Sequence, residues 1–228
     1  MQRYILWKAV LFFVVAMPLA GIAVVAQAHE GTHSSGCIDG NGMSKTETRV
    51  IGPFEDIRIS GAFDVSMTRG EKNGLTVTAD ANLLPYVTAK VQGKTLVVTT
   101  SRSICTTGPL LVEIVYQRLN GIDLAGANDL LLEGLAAERF SFRQDGSGTS
   151  RLRGQAGTLG MVVAGAADVD ASALKADHVS VEVTGAGDVS VHATGSLDVV
   201  LAGVGDLTYT GNPKITSRVT GVGEIVKK

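Results

Sequence analysis

The chain has 228 residues, 20 basic against 22 acidic side chains, 28 glycines and an aromatic content of only 5%. The mild acidity gives no support for nucleic acid or an anionic membrane surface as partner. The scarcity of aromatics against the abundance of glycine argues for a thin stack of Val, Leu and Ile rather than a globule built on aromatic anchors.

Residues 1–28 carry the three parts of a secretory signal: Arg3 and Lys8, an apolar run from Ala9 to Val25, and the small-x-small site Ala26-Gln27-Ala28. A retained anchor is the alternative, although the run is at the short end of spanning length. Removal of residues 1–28 leaves 200 (228 minus 28), with 18 basic residues (20 minus Arg3 and Lys8) against 22 acidic, or −4. That is enough for one domain with a sizeable core. Residues 29–48 are polar and rich in Gly and Ser, and read as a flexible lead-in. His29, His33 and Cys37 fall there, but evenly spaced ligands on a tail lack the fourth ligand and supporting shell of a metal site. Cys37 and Cys105 are the only cysteines. In an oxidising compartment such a pair is expected to form a disulfide.

From residue 49 the domain proper begins. Ile57, Ile59, Gly61, Val65 and Met67 show apolar residues two and four before a glycine and four and six after it. Leu75–Val77, Tyr86–Val91, Thr95–Thr99 and Leu111–Tyr116 read as further strands. Turns of hairpin type are expected at Glu71–Gly74 and Gln92–Lys94, and a helical turn at Asn82–Tyr86 ended by Pro85. The first copy of the glycine register is thus followed by a long excursion, and a regular stack begins near Gly121.

The repeating phrase is a glycine, any residue, a small residue, an acid and a branched aliphatic. It stands at Gly165–Val169, Gly185–Val189, Gly203–Leu207 and Gly221–Ile225, with looser copies at Gly61–Val65, Gly126–Leu130 and Gly146–Ser150. A period near twenty residues points to units that bury their apolar faces only by stacking. Val179, Val181 and Val183 before Gly185, and Val189 and Val191 after it, alternate with polar residues, so each unit holds two short strands joined at a glycine corner. The fold expected from this is a single-domain, all-β, right-handed parallel β-helix with rungs of about 18–20 residues. A seven-strand sandwich is the rival.

The stretches FEDIRISGAFDVSMTRGEKNGLTVTADANLLPYV, GKTLVVTT and LNGIDLAGANDL, followed by the serial GAGDV-like copies, resemble the bacterial head GIN domain family, described as auto-transporter adhesins. The resemblance runs from about Arg49 to Lys228. It implies a right-handed parallel β-helix and an exported location, and no established activity. The chain lacks the ten-residue amphipathic strands of an auto-transporter's membrane barrel, so surface display is expected to depend on another protein.

The acids Asp64, Asp129, Asp168, Asp188, Asp206 and Glu224 recur at one offset from the glycines. Adjacent rungs lie about 4.8 Å apart, and a bare ladder of like charge at that spacing is unfavourable. Either each carboxylate is held by backbone N–H groups of its own glycine turn, or the ladder binds cations or hydroxyl-rich sugars. Arg151, Arg153, Asp168 and Asp170 could form the outward face of a carbohydrate-active enzyme, a lyase or hydrolase, but long loops that would wall a cleft are missing. His178 and His192 should point outward. Motifs for nucleophile, phosphate-binding or zinc-protease chemistry are not found, so no catalytic residue, cofactor or metal ligand is assigned. The expected function is a non-enzymatic, adhesin-like or envelope-associated binding module, exported to the periplasm, cell surface or medium. Its expected partner is a cell-envelope glycan or protein, without stable membrane insertion after signal cleavage. An enzyme or a purely structural solenoid are the alternatives.

Overall fold

Strict alternation of apolar and polar residues drives almost every described segment into strands. The computed structural model describes residues 36–106 and 108–228. The expected signal segment 1–28 and both His29 and His33 lie outside the described residues. In chain order the strands are β1 (Ile38–Asp39), β2 (Ser44–Arg49), β3 (Asp56–Arg69), β4 (Gly74–Asp80), β5 (Val87–Gln92), β6 (Thr95–Thr100), β7 (Ile104–Cys105), β8 (Leu111–Tyr116), β9 (Gly121–Val183), β10 (Val189–Leu201), β11 (Leu207–Thr210), β12 (Lys214–Val219) and β13 (Ile225–Lys227). The fold is all-β, and its main sheet mixes parallel and antiparallel pairs. Among the described residues no helix is long and apolar enough to cross a membrane.

Parallel pairing repeats at the expected spacing. Val189 of β10 lies opposite Val169 of β9, and Leu207 of β11 opposite Val189. Leu201 likewise pairs with Val183, and Val219 with Leu201. The offset shortens from 20 to 18 between Val169–Val189 and Val179–Leu197, because the register shifts between Val191 and His192 and again between Ala193 and Ser196. Inward residues such as Val179, Val181, Val183, Leu197, Val199 and Leu201 are buried in one core cluster with Ile57, Met67 and Leu124. Burying each Val or Leu contributes roughly 1.5–3 kcal/mol. The alternation is therefore the main source of stability. Among the described residues Asp80, Asn128, Gln144 and Ser150 are the buried polar ones, and the last two pair, the Ser150 hydroxyl donating to Gln144 Oε1 over 2.7 Å.

Glycines form a continuous column at the corners. A Cβ on Gly126 would lie 2.3 Å from the carbonyl oxygen of Gly61, one on Gly146 2.0 Å from that of Gly126, and one on Gly185 1.8 Å from that of Gly165. The leading glycine was expected to supply positive φ or the space of a missing side chain. In the copy at Gly185 it supplies the space, and positive φ falls on Gly187 (+146°).

The excursion after β3 takes an unexpected course. β6 pairs in parallel with Asp56–Ser60 of β3, and β8 with Asp64–Arg69, while β9 pairs with nearly the whole of β3. The chain has therefore doubled back to add strands to β3 before resuming at Gly121. The Glu71–Gly74 turn is not a hairpin, since β4 pairs antiparallel with β8 and β2 instead of β3. It is tied to the end of β8 instead: Gln117 donates its backbone N–H to Asn73 Oδ1 (3.0 Å) and its side-chain amide to the Glu71 carbonyl. The second expected hairpin is present, with β5 and β6 antiparallel and Gln92 opposite Thr95. Pro85 lies inside a 3-10 turn, Leu84–Tyr86, rather than ending one. A first-turn proline forgoes only an N–H that has no intrahelical partner.

Residues 36–48, the described part of the stretch 29–48 that reads as a flexible lead-in, are also paired. β2 is an edge strand on β4, and β1 forms a two-stranded parallel sheet with β7. A mostly exposed edge strand needs no apolar alternation, which is why the pattern gave no sign of it. Cys37, just before β1, and Cys105, the last residue of β7, form a disulfide with Cα atoms 5.6 Å apart. Alkylation without reductant is expected to label neither thiol, as intact mass will show. Losing the bond should cost about 2–4 kcal/mol and loosen residues 36–49 before the rungs near Gly185, which hydrogen exchange resolves.

Candidate functional site

Two outward features recur from rung to rung. The first is the acid column. Asp64 lies opposite Asp129 in the β3–β9 register. The Asp129 carboxylate accepts the backbone N–H of Thr149 (2.7 Å), that of Asp168 accepts Asp188 N–H (2.9 Å), that of Asp188 accepts Asp206 N–H (2.9 Å), and that of Asp206 accepts Glu224 N–H (2.9 Å). The donor is thus the next rung and not the acid's own glycine turn, as the residues had suggested. Corners explain the choice for the donors Asp188, Asp206 and Glu224, while Thr149 lies inside β9. Residues 184–188, 202–206 and 220–224 lie between named strands, where N–H groups leave the regular ladder and a carboxylate is the nearest strong acceptor. All six acids are solvent-exposed, so water screens their mutual repulsion. Thr149 stands where an acid would otherwise fall between Asp129 and Asp168.

These bonds allow a direct experiment. Asp188→Ala removes the acceptor for Asp206 N–H and is expected to cost about 1 kcal/mol, since water can reach the freed group. Asp188→Asn retains an acceptor oxygen and should recover much of that. Neither melt should respond to calcium. A calcium-dependent rise in Tm of the native protein, lost in Asp188→Asn, would instead identify the column as a cation site.

The second feature is a polar groove of about 510 Å³ whose lining includes Asp170, Ser172, Ser190, His192, Thr208 and Thr210. Register builds it: Ser190 lies between Asp170 and Thr208, and His192 beside Thr210. The Asp170 carboxylate accepts both the backbone N–H (3.0 Å) and the hydroxyl (2.6 Å) of Ser172. The Ser172 hydroxyl bond is the main reason its pKa is lowered against the opposing effect of burial, with the Ser172 backbone bond and the charges of Arg151 and Arg153 adding to it. Asp170 therefore stays an acceptor below the ordinary carboxylate range.

The other residues singled out from the sequence do not join this groove. Arg153 is paired with Glu133 (3.0 Å), and His178 Nδ1 is 3.0 Å from the Ser196 hydroxyl. Asp168 is committed to the acid column. Cys37 is bonded to Cys105. Ser190, Thr208 and Thr210 were missed because single hydroxyl residues on a strand carry no signal until the register aligns them. Elsewhere, a wider cleft of about 730 Å³ has Glu138 as its single lining carboxylate, beside Arg118 and Arg139. Asp56 and Asp123 share a smaller groove, where Arg58 binds Asp123 over 3.1 Å.

Comparison with known proteins places this geometry. A family model described as "Putative auto-transporter adhesin, head GIN domain" matches residues 53–213. A solved structure described as "a putative adhesin", from Bacteroides fragilis NCTC 9343, is similar over 84% of this chain and 100% of its own, with 22% identity and a TM-score of 0.69. A "putative lipid binding protein" from Parabacteroides distasonis ATCC 8503 is similar over 84% and 99%, with 21% identity and a TM-score of 0.54. A "putative adhesin" from Parabacteroides merdae ATCC 43184 is similar over 85% and 100%, with 19% identity and a TM-score of 0.53. At these identities the likeness concerns the fold. None of the curated proteins compared with the chain matches it.

Proposed function

The chain belongs to the family described as "Putative auto-transporter adhesin, head GIN domain", and on that premise we propose that it is an exported, non-enzymatic module that binds a hydroxyl-rich glycan of the cell envelope. The observation that carries this reading is the groove of Asp170, Ser172, Ser190, His192, Thr208 and Thr210, which sets donors and acceptors on neighbouring rungs. Strands about 4.8 Å apart present such groups at a spacing commensurate with the hydroxyls of a sugar ring. No Phe, Tyr or Trp side chain lines the groove and His192 offers its one imidazole ring, so a single site has little ring stacking and binds weakly, and useful retention comes from many copies on one surface.

The architecture proposed with it is a right-handed parallel β-helix. Parallel partners 17 to 20 residues apart support it, and so does the strong preference for right-handed crossovers. Residues 1–28 act as the removed signal, and 49–228 form the domain, with 36–48 laid against it. The names of the similar adhesins favour an extracytoplasmic location and a binding role.

The test is a glycan array run beside a cell-envelope pull-down, with the native protein and with Ser190→Arg and Thr208→Arg, which fill the groove. Envelope glycan should be retained by the native protein and lost at least tenfold in both variants. Absence of retention, or retention unchanged by the arginines, would overturn the reading. Release of new reducing ends from a retained glycan would favour a carbohydrate-active enzyme, with Asp56 and Asp123 the first acids to replace.

A further inference from the structure

The wider cleft of about 730 Å³ and a neighbouring groove of about 420 Å³ share Ala136 and Ala137. Together they make one trough over four passes of the chain, at residues 118–120, 136–141, 155–158 and 175–177. Ala136, Ala137, Ala156 and Gly157 carry nothing larger than a methyl group, so the surface is recessed between the longer side chains around them. The passes are in backbone contact here. A Cβ on Gly157 would lie 2.7 Å from the Glu138 carbonyl oxygen, and the Ser141 N–H donates to the Asn120 carbonyl over 2.9 Å. A ligand in the trough therefore meets side chains and not a free strand edge.

Charge says what kind of ligand fits. Arg118, Arg139 and Lys175 line the trough against Glu138 and Asp177, in a chain whose net charge is −2. Asp177 is already engaged, accepting the Thr194 hydroxyl over 2.8 Å. Arg118 is anchored from behind: half-buried Glu55 takes it over 3.0 Å and Lys94 over 2.9 Å. The Lys94 hydrogen bond lowers the Glu55 pKa against the opposing effect of burial, with the charges of Lys94 and Arg118 adding to it. Glu55 thus stays an anion, and Arg118 keeps its place with most of its five donors free. Among the described residues Arg139 and Lys175 enter no ion pair. We propose that the trough binds a linear glycan whose sugars carry carboxylates. The guanidinium forks of Arg118 and Arg139 and the Lys175 ammonium take the carboxylates. Asn120, Ser141, Gln155 and Thr158 exchange hydrogen bonds with the ring hydroxyls. The trough shares no lining residue with the groove of Asp170 and Ser190, so either site can fail without the other.

The experiment titrates the full mature chain, in a calorimeter, with hexagalacturonate, its methyl-esterified form and hexaglutamate. Hexagalacturonate should bind saturably and weaken with salt, and the ester should bind at least tenfold more weakly. The double variant Arg118→Gln, Arg139→Gln should lose at least tenfold in affinity, and Lys175→Gln about threefold. All three positions are exposed, so the melts should be unchanged. Ser190→Arg, in the other groove, should leave the affinity as it is. No saturable binding, equal binding of the ester, or unchanged affinity in the arginine variant would each overturn the proposal. Loss of binding in Ser190→Arg would also overturn it, by moving the acidic ligand to the other groove. Hexaglutamate binding as tightly as hexagalacturonate would replace the glycan with an acidic peptide.

Discussion

Val181→Asp is expected to unfold the protein at ordinary temperature. Val181 is 1% exposed and stacks on Val199, itself 2% exposed, so the new carboxylate would be buried among aliphatic side chains with no cation or donor in reach. An uncompensated buried charge costs about 4 kcal/mol or more, a large share of the 5–15 kcal/mol that holds a typical domain together. Val181 belongs to one core cluster with residues of many other strands, so the damage is not confined to its own strand. Glu182→Lys, the next residue and an exposed one, should shift stability by only about 0.5 kcal/mol. Thermal and urea melts of the pair check the assignment. Similar losses at both positions would mean that the faces have been exchanged.

Gly185→Ala should be nearly as damaging, although it adds a single methyl group. The new Cβ would lie 1.8 Å from the carbonyl oxygen of Gly165 and 2.4 Å from its nitrogen. Backbone, unlike a long side chain, cannot swing away, and forcing the corner apart would also stretch the bonds that tie Thr184 and Ala186 to the rung below. A loss of about 3 kcal/mol is expected, at the upper end of overpacking effects. Gly160→Ala is the control. A Cβ there meets nothing within 4 Å, and its φ is not positive. That substitution should be neutral or stabilising by up to about 1 kcal/mol through loss of freedom in the unfolded chain. If the two alanines melt alike, the glycine column has no steric role.

The acid column shows how far a local reading reaches. Its six members were visible as a fixed offset from glycine, and all six are exposed, with Asp188, Asp206 and Glu224 between named strands. Their donors were misjudged, because an Asx turn within one rung and a bond to the following rung leave the same trace in sequence. The groove was less visible still. Asp170, Ser190 and Thr208 are ordinary outward residues on separate strands, and only the register makes them one surface.

The amino-acid sequence by itself determined the alternating faces, the two-strand unit, its period near twenty residues and the need for glycine at the corners. Each of these is set within one rung, by the pleat of a strand and by the room a backbone needs to turn, and repetition made the signal readable. Only the tertiary structure decided which strands lie beside which. It laid β6 and β8 along β3, used the polar stretch Ser44–Arg49 as an edge, and absorbed two extra residues of β9 between Ala171 and His178 opposite Val191–Ser196. Those outcomes depend on pairings between residues far apart in the chain, where many partners satisfy the same alternation and burial of the whole stack selects among them.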